Sequence, residues 1–439
     1  MVEVSTPTWR VFTCDLPDQL AVEVFKLKTI QWLEHFQQFS YLDSNGHTQE
    51  PYHKFDLLVG AGCIDALSCN TGQGAFVQLA YFQKQYPQEY IFGYFTYDLK
   101  NELENLQSAH EDRHGFPEMQ FFVPEHRIEL RGNTLTLASA TTQPEALYQQ
   151  IQGLKSKPAS FQQGIELQAR ISREEYLSTI QNIRAEILQG NLYEMNFCQE
   201  FFHPAAEIDP YDVFLRLNLK TRAPFSAFYR WHEHFALCAS PERFLAKREN
   251  KLISQPIKGT IRRGKTEEED LALKNELYLS PKNRAENVMI VDLVRNDLAR
   301  SCRAGTVTVE ELFGIYGFAT VYQMISTVSG TLREDSSAIE AIQYAFPMGS
   351  MTGAPKISSM QLIEQLESSR RGLYSGAIGY FAPNGDFDFN VVIRSLLYNQ
   401  HSGYLSLQVG GAIVYDSVPE EEYAECLLKA ERIVEVLRG

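Results

Sequence analysis

Apolar positions change their spacing several times along the chain, and each change marks an expected element. Tyr90-Ile91-Phe92-Gly93-Tyr94-Phe95-Thr96-Tyr97 and Met119-Gln120-Phe121-Phe122-Val123 are short aromatic-rich runs, the mark of strands. The polar stretch Lys155-Ser156-Lys157-Pro158-Ala159-Ser160 is the best boundary, which suggests an N-terminal region over 1–160 and a second region over 168–439. Ser172-Arg173-Glu174-Glu175 has the form of a capping box opening a helix to Leu188, ended by Gly190, with a strand over Leu192 to Phe202 behind it. Phe235 to Ala239 and Leu252 to Ile253 are strand ends, and charged Lys265 to Asp270 is an exposed loop or a helix start. Val288, Val291, Val294 and Leu298 recur at helical spacing within Asn283 to Ala299. Val321 to Val328, Ser375 to Phe381, Phe387 to Tyr398 and Leu405 to Val409 are expected strands, with helices over Ser336 to Phe346 and Ile357 to Leu366. A last helix starts at Pro419 and carries Tyr423, Leu427, Ala430, Val434 and Leu437 as its core stripe. Helices and strands mix without regular alternation, which favours an α+β architecture over a doubly wound sheet.

Composition narrows the function classes. The 439 residues are 44% hydrophobic and 22% charged, as in a globular protein, and can bury one large core or two ordinary ones. No apolar run approaches the ~20 residues that span a bilayer, so no membrane role is expected. Met1-Val2-Glu3-Val4-Ser5 lacks the basic and apolar regions of a signal peptide. A net charge of -15 speaks against nucleic acid as the main partner. Seven scattered cysteines without a C-x-x-C pair fit a reducing cytoplasm and neither a disulfide framework nor a cysteine-zinc site.

Candidate chemistry centres on Pro256-Ile257-Lys258-Gly259-Thr260-Ile261-Arg262-Arg263-Gly264. Lys258 stands between a proline and a glycine just after a strand, with two arginines close behind. Like charge and burial both favour the neutral amine, so Lys258 is a candidate nucleophile; its ordinary reading is a solvated strand-end lysine. In the final helix Glu422, Glu425 and Lys429 form one stripe, and carboxylates one turn apart suit magnesium; the ordinary reading is a helix start capped by Asp416 or Ser417. Glu286 is a second carboxylate source if its helix faces the last one, and otherwise a surface group paired with Arg284 or Arg295. Gly349-Ser350-Met351-Thr352-Gly353-Ala354-Pro355-Lys356 is a glycine-rich loop but no P-loop; its backbone, Ser350 or Thr352 could hold a carboxylate. Gly410-Gly411-Ala412 offers close backbone approach, and Arg394, read as lying within a strand, offers a carboxylate fork or an ordinary strand-face ion pair. The sum is a metal-dependent site for a small anion.

Several stretches taken together resemble the chorismate-utilising enzymes. They are Ser240-Pro241-Glu242-Arg243-Phe244, Pro256 to Thr260, Ala285-Glu286 with Asp292 to Leu298, and Gly353 to Lys356. Arg371-Gly372-Leu373-Tyr374-Ser375-Gly376-Ala377 and Asp416 to Lys429 complete the set, in the family's order from about Ser172 to the C-terminus. The N-terminal region resembles the family more weakly, through Gly93 to Leu99. The resemblance implies an anthranilate-synthase-like fold, with mixed or antiparallel sheets packed as a sandwich and helices outside. Lys258 stands where anthranilate synthase has alanine, which implies the branch that forms 4-amino-4-deoxychorismate. By that resemblance Lys258 attacks C2 of chorismate, Glu242 protonates the departing C4 hydroxyl, and ammonia then attacks C4 and expels the lysine. Glu286 and Glu425 would hold Mg2+, helped by Glu422 and Lys429. Thr260, Ser350, Tyr374, Arg394, Asn196 and the backbone at Gly410, Gly411 and Ala412 would bind the substrate.

Isochorismate-forming relatives place a lysine base where Glu194 stands, so water activation is disfavoured here. Gln323 replaces the family's common histidine and cannot shuttle a proton. Ala412 stands where relatives often have glycine, and no tryptophan-binding signature is evident around Leu57 to Gly60. No amidotransferase cysteine motif is present, so ammonia would come free or from a separate glutamine amidotransferase subunit. The competing readings are anthranilate or isochorismate synthesis, and a catalytically weak chorismate-binding scaffold.

Overall fold

The computed structural model describes residues 7–48, 50–70, 72–155, 164–318 and 321–438. Met1 to Ser5 and most of the expected boundary at Lys155 to Ser160 lie outside the described residues. The elements that carry the site are strand β1 (Glu194–His203), β2 (His234–Ser240), β3 (Arg243–Arg248) and β4 (Ile257–Arg262), helix α1 (Pro281–Ala299), strand β5 (Val321–Thr331), helix α2 (Lys356–Leu366), strands β6 (Phe387–Asn390), β7 (Ser395–Asn399) and β8 (Tyr404–Ile413), and helix α3 (Pro419–Arg438).

A 12-stranded and a 10-stranded sheet pack as a sandwich, and every strand pairing among the described residues is antiparallel, which narrows the expected mixed arrangement. Alternation along β2 shows how the layers form. Phe235, Leu237 and Ala239 enter one core with residues of α3, while Ala236 and Cys238 enter the other with Phe92 and Tyr94 of the facing sheet. Both chain regions contribute to both sheets. Gln38–Asp43 pairs with Phe225–Trp231 in the first, and Ile91–Phe95 pairs with Ala377–Phe381 in the second. The first sheet runs on through β2, β7, β8 and β1, and the second ends at β4 beyond β5.

Most helices stand where the pattern put them. Ser172 accepts from Glu175 N at 3.2 Å and Glu175 accepts from Ser172 N at 2.8 Å, closing the capping box. The Lys265 to Asp270 segment opens a helix, Glu267–Leu279, capped by Thr266. Two stripes shift. On α1, Val288 is exposed and Asn287 and Ile290 are buried instead. On α3, Leu427 is exposed while Glu422, Cys426 and Ile433 face inward, because the helix lies over β8 and the small Gly410 and Gly411 leave room for a charged side chain. Ser417 does not cap α3: its hydroxyl donates to Glu422 at 2.7 Å.

The expected single strand Phe387 to Tyr398 is two strands in different sheets. The chain leaves β6 at Asn390 and crosses to β7 at Ser395, and Arg394 lies in the crossing with φ 53 rather than within a strand. An unbroken apolar run conceals such a switch, because both strands are buried on both faces. A second crossing joins β2 to β3 through Pro241 and Glu242. The two crossings touch: Val391 N donates to Glu242 O at 3.0 Å, and Ala239 N donates to Arg394 O at 3.2 Å.

Candidate active site

Lys258 lies on β4, not in a turn, and the strand is irregular there. Ile257 faces Ile325 and Thr260 faces Gln323 of β5, so the register slips between them, and Gly259 takes φ 97. A bulge of this kind re-aims a side chain at the edge of a sheet. The Lys258 ammonium donates to Glu194 Oε1 at 2.6 Å, and both residues are buried. Glu194 opens β1 in the other sheet, so this ion pair bridges the two layers.

The surroundings of Lys258 are acidic rather than basic, contrary to the expected like charge. Arg262 and Arg263 turn away, to Glu269 at 2.6 Å and to Asp270 at 2.6 Å. Burial pulls the Lys258 ammonium down, but the carboxylates of Glu194, Glu286 and Glu242 outweigh it and leave Lys258 above its ordinary range. Burial of Glu242 pushes its carboxyl up to about 7, held back by Ser350, Lys258 and Arg394. The Ser350 hydroxyl lies beside Glu242 yet makes no hydrogen bond of regular geometry. Glu242 and Ser350 share a small cavity with Pro256, Val294 and Met348. Arg394 is half-buried, and burial together with Arg432 lowers its guanidinium to about 10. No hydrogen bond or ion pair engages it among the described residues, which leaves its fork open to an anion.

The acidic helices do face each other. Burial raises the Glu286 carboxyl, and Glu425 across the cleft raises it further, while Lys258 and Lys282 oppose the rise. Arg295 pairs with Asp292 and Arg284 stacks on Phe313, so neither expected surface partner takes Glu286. Glu425 is 52% exposed and pairs with Lys429 at 2.8 Å, which holds its carboxyl down. Lys429 also donates to Gly410 O at 3.0 Å. Glu422 is buried against Ser417, with Lys282 3.9 Å away, so one of its oxygens is already occupied. Among the described residues no three acidic, histidine or cysteine side chains close a metal cage. Two facing carboxylates still suit magnesium, which keeps its remaining positions for water and ligand oxygens.

Other expected contacts are more structural than foreseen. Asn196 donates from Nδ2 to Ser350 O at 3.1 Å and accepts the Cys198 thiol at 3.1 Å, so its amide holds the Ser350 loop rather than standing free. Arg371 ties the same parts together, donating to Asn196 O at 3.0 Å and Met351 O at 2.6 Å. Tyr374 is buried with its hydroxyl 3.4 Å from Cys198 Sγ. Lys356 pairs with Asp297 at 2.7 Å, so the glycine-rich loop uses it as an anchor. Gly410 lies against β1, where a Cβ would come 2.3 Å from Phe197 O, and Gly411 faces Glu422 and Lys429. Ala412 pairs with Asn196, and Thr260 is exposed on β4. Gln323 is buried, and neither of its amide atoms has a hydrogen-bond partner among the described residues. The contact missed in sequence is Glu194 with Lys258. Its one signal was an acidic residue at a position otherwise weighed only against a lysine base.

Comparison with known proteins fits this geometry. The chain is 45% identical over 261 residues to the chloroplastic aminodeoxychorismate synthase of Arabidopsis thaliana, covering 59% of this chain and 28% of that protein. It is 36% identical over 351 residues to aminodeoxychorismate synthase component 1 of Escherichia coli, covering 79% of this chain and 76% of that one. The first curated relatives are much longer, and this chain matches only 28% and 37% of the length of two of them. Anthranilate synthase component I from Streptococcus pneumoniae superposes with a TM-score of 0.74 at 24% identity, covering 90% of this chain and 92% of the other, which shows a common fold. The sequence model of the chorismate binding enzymes matches residues 37–435, and this chain belongs to that family.

Proposed function

We propose that the chain converts chorismate and ammonia to 4-amino-4-deoxychorismate, with Lys258 as a covalent nucleophile. The observation that carries the reading is a buried lysine at a strand bulge with a carboxyl of opposite duty on each side. Glu242, pushed up to about 7, is half-protonated near neutral pH and suits a general acid, and Glu194 is ion-paired to the amine. Aminodeoxychorismate synthases among the similar proteins support the same reaction.

In this reading Arg394, free of other pairing, and the backbone near Gly411 receive the two substrate carboxylates, while Tyr374 and Ser350 line the ring. Lys258 attacks C2, and Glu242 gives its proton to the C4 hydroxyl as it leaves as water. Ammonia then attacks C4 and expels the lysine. Glu286 and Glu425 are the residues that would hold magnesium, with Glu422 behind them; the ion supplies charge neutralisation for a substrate carboxylate. A glutamine amidotransferase subunit is the proposed ammonia source, supported by the "component 1" in the Escherichia coli relative's name. A cytoplasmic setting suits seven free cysteines.

The test is product identification by mass spectrometry after incubation with chorismate, magnesium and ammonium, with and without an aminodeoxychorismate lyase. An amine-bearing, lyase-convertible product that keeps the pyruvyl group is expected. Glu425→Gln should raise the magnesium concentration needed for half-maximal rate. Anthranilate with free pyruvate would replace the reading by anthranilate synthesis, and unchanged chorismate would favour a binding scaffold, to which unpartnered Gln323 lends some weight.

A further inference from the structure

An ammonium cannot attack carbon, so Lys258 must lose a proton before any covalent step. Carboxylates on four elements act on the charge of its amine: Glu194 from β1, Glu242 from the β2–β3 crossing, Glu286 from α1 and Glu425 from α3. Only Glu194 is in hydrogen-bond contact, at 2.6 Å. Lys258 is also the only donor that its carboxylate receives among the described residues. The Glu194 backbone is fixed where β1 begins: it pairs with Ala354, and Ser359 Oγ donates to its main-chain carbonyl at 3.3 Å.

We propose that Glu194 is the general base that takes the Lys258 proton and holds it through the covalent stage. This rests on the reading of Lys258 as the nucleophile. The proton on Nζ passes to Glu194 Oε1, giving a neutral amine and a neutral carboxylic acid. The Nζ lone pair forms the bond to C2, the two ring double bonds shift by one position, and the C4–O bond breaks as water leaves with the Glu242 proton. Nζ is then a secondary ammonium and Glu242 a carboxylate, so charge balances. Ammonia at C4 reverses the shift and releases Nζ as a neutral primary amine, and the new C4 ammonium returns a proton to Glu242. Glu194 gives its own proton back to Lys258 once the substrate site empties. The two carboxyls therefore hold separate protons with separate duties, Glu242 from the β2–β3 crossing and Glu194 in contact with the Lys258 ammonium.

The experiment follows the Lys258 adduct with ammonium omitted. The protein is mixed with chorismate and magnesium, quenched in acid, digested, and the peptide carrying residue 258 is weighed. Wild type should gain the adduct mass and Lys258→Ala should not. Glu194→Gln, with an unchanged thermal transition, should form the adduct about 100-fold more slowly or worse at neutral pH. Its rate should climb as pH rises, because hydroxide must now remove the proton. Glu194→Asp, which keeps a carboxylate, should fall between the two. An adduct formed by Glu194→Gln as fast as by wild type, or faster, would mean that Glu194 only anchors the ammonium, and the base assignment would fall with the nucleophile intact. Absence of an adduct in wild type would remove the nucleophile itself, and the proposal with it.

Discussion

Glu242 sits buried where the chain passes from one sheet to the other. Its rise from 4.5 to about 7 is a burial effect before it is anything else. The proposed acid role needs the protonated form, so kcat/KM should fall as pH rises through about 7, and Glu242→Gln should abolish this limb together with most turnover. The same group leaves a mark on stability. Because its folded value lies above its unfolded one, its contribution is full below the ordinary carboxyl range and is lost as pH rises through about 7, a loss of ~3 kcal/mol at most. Chemical denaturation of wild type and Glu242→Gln between pH 5 and about 8 checks it: the stability gap between them should narrow or reverse with rising pH. The residue types proposed for this chemistry were visible in sequence, since Lys258, Glu242, Glu286 and Glu425 stand in motifs. Their mutual electrostatics were not. Glu194 is 64 positions from Lys258 and in the other sheet, so no spacing rule connects them.

Element patterns were legible wherever one face of a helix or strand is apolar, and failed where function interrupts the pattern. Glu422 faces inward on α3 because Ser417 satisfies it, and a stripe defined by apolar residues steps past it. The break between β6 and β7 is silent because Val391 and Val392 are as buried as the strands they join. The bulge on β4 depends on Gly259, whose φ of 97 is a poor conformation for an L side chain, and whose added Cβ would come 3.0 Å from Asn283 Cγ. Gly259→Ala should therefore cost about 1–2 kcal/mol in stability from backbone strain. It should lower turnover further than that loss explains, since the bulge aims Lys258. A reduced denaturation midpoint at unchanged slope, with Lys258 adduct formation slowed in the protein that remains folded, is the expected outcome. Unaltered turnover would show that the strand aims Lys258 without the bulge.

At the scale of the molecule, strand order is the property that hydrophobic patterning leaves open, because each strand's alternation says which face is buried and nothing about its neighbour. A division into 1–160 and 168–439 follows naturally from a polar stretch in the chain, yet the sheets interleave the two regions. Phe228, from the second region, meets Phe39 of the first edge-on at 4.9 Å, and Tyr94 meets Tyr229 edge-on at 5.2 Å, one contact in each core. Removing residues 1–160 would leave Phe225–Trp231 and Ala377–Phe381 as open edges and strip both cores of many of their aromatic residues. Such edges pair with other chains. The whole protein should accordingly unfold in one cooperative transition, with far-UV circular dichroism and the buried tryptophan Trp32 reporting the same midpoint. The 168–439 fragment should bind a hydrophobic dye and aggregate, and should gain chorismate binding only when refolded together with the 1–160 fragment. Two separated transitions, or a monomeric fragment that binds chorismate alone, would mean that the second sheet closes without its N-terminal strands, and that the site rests on β1, β4, α1 and α3 by themselves.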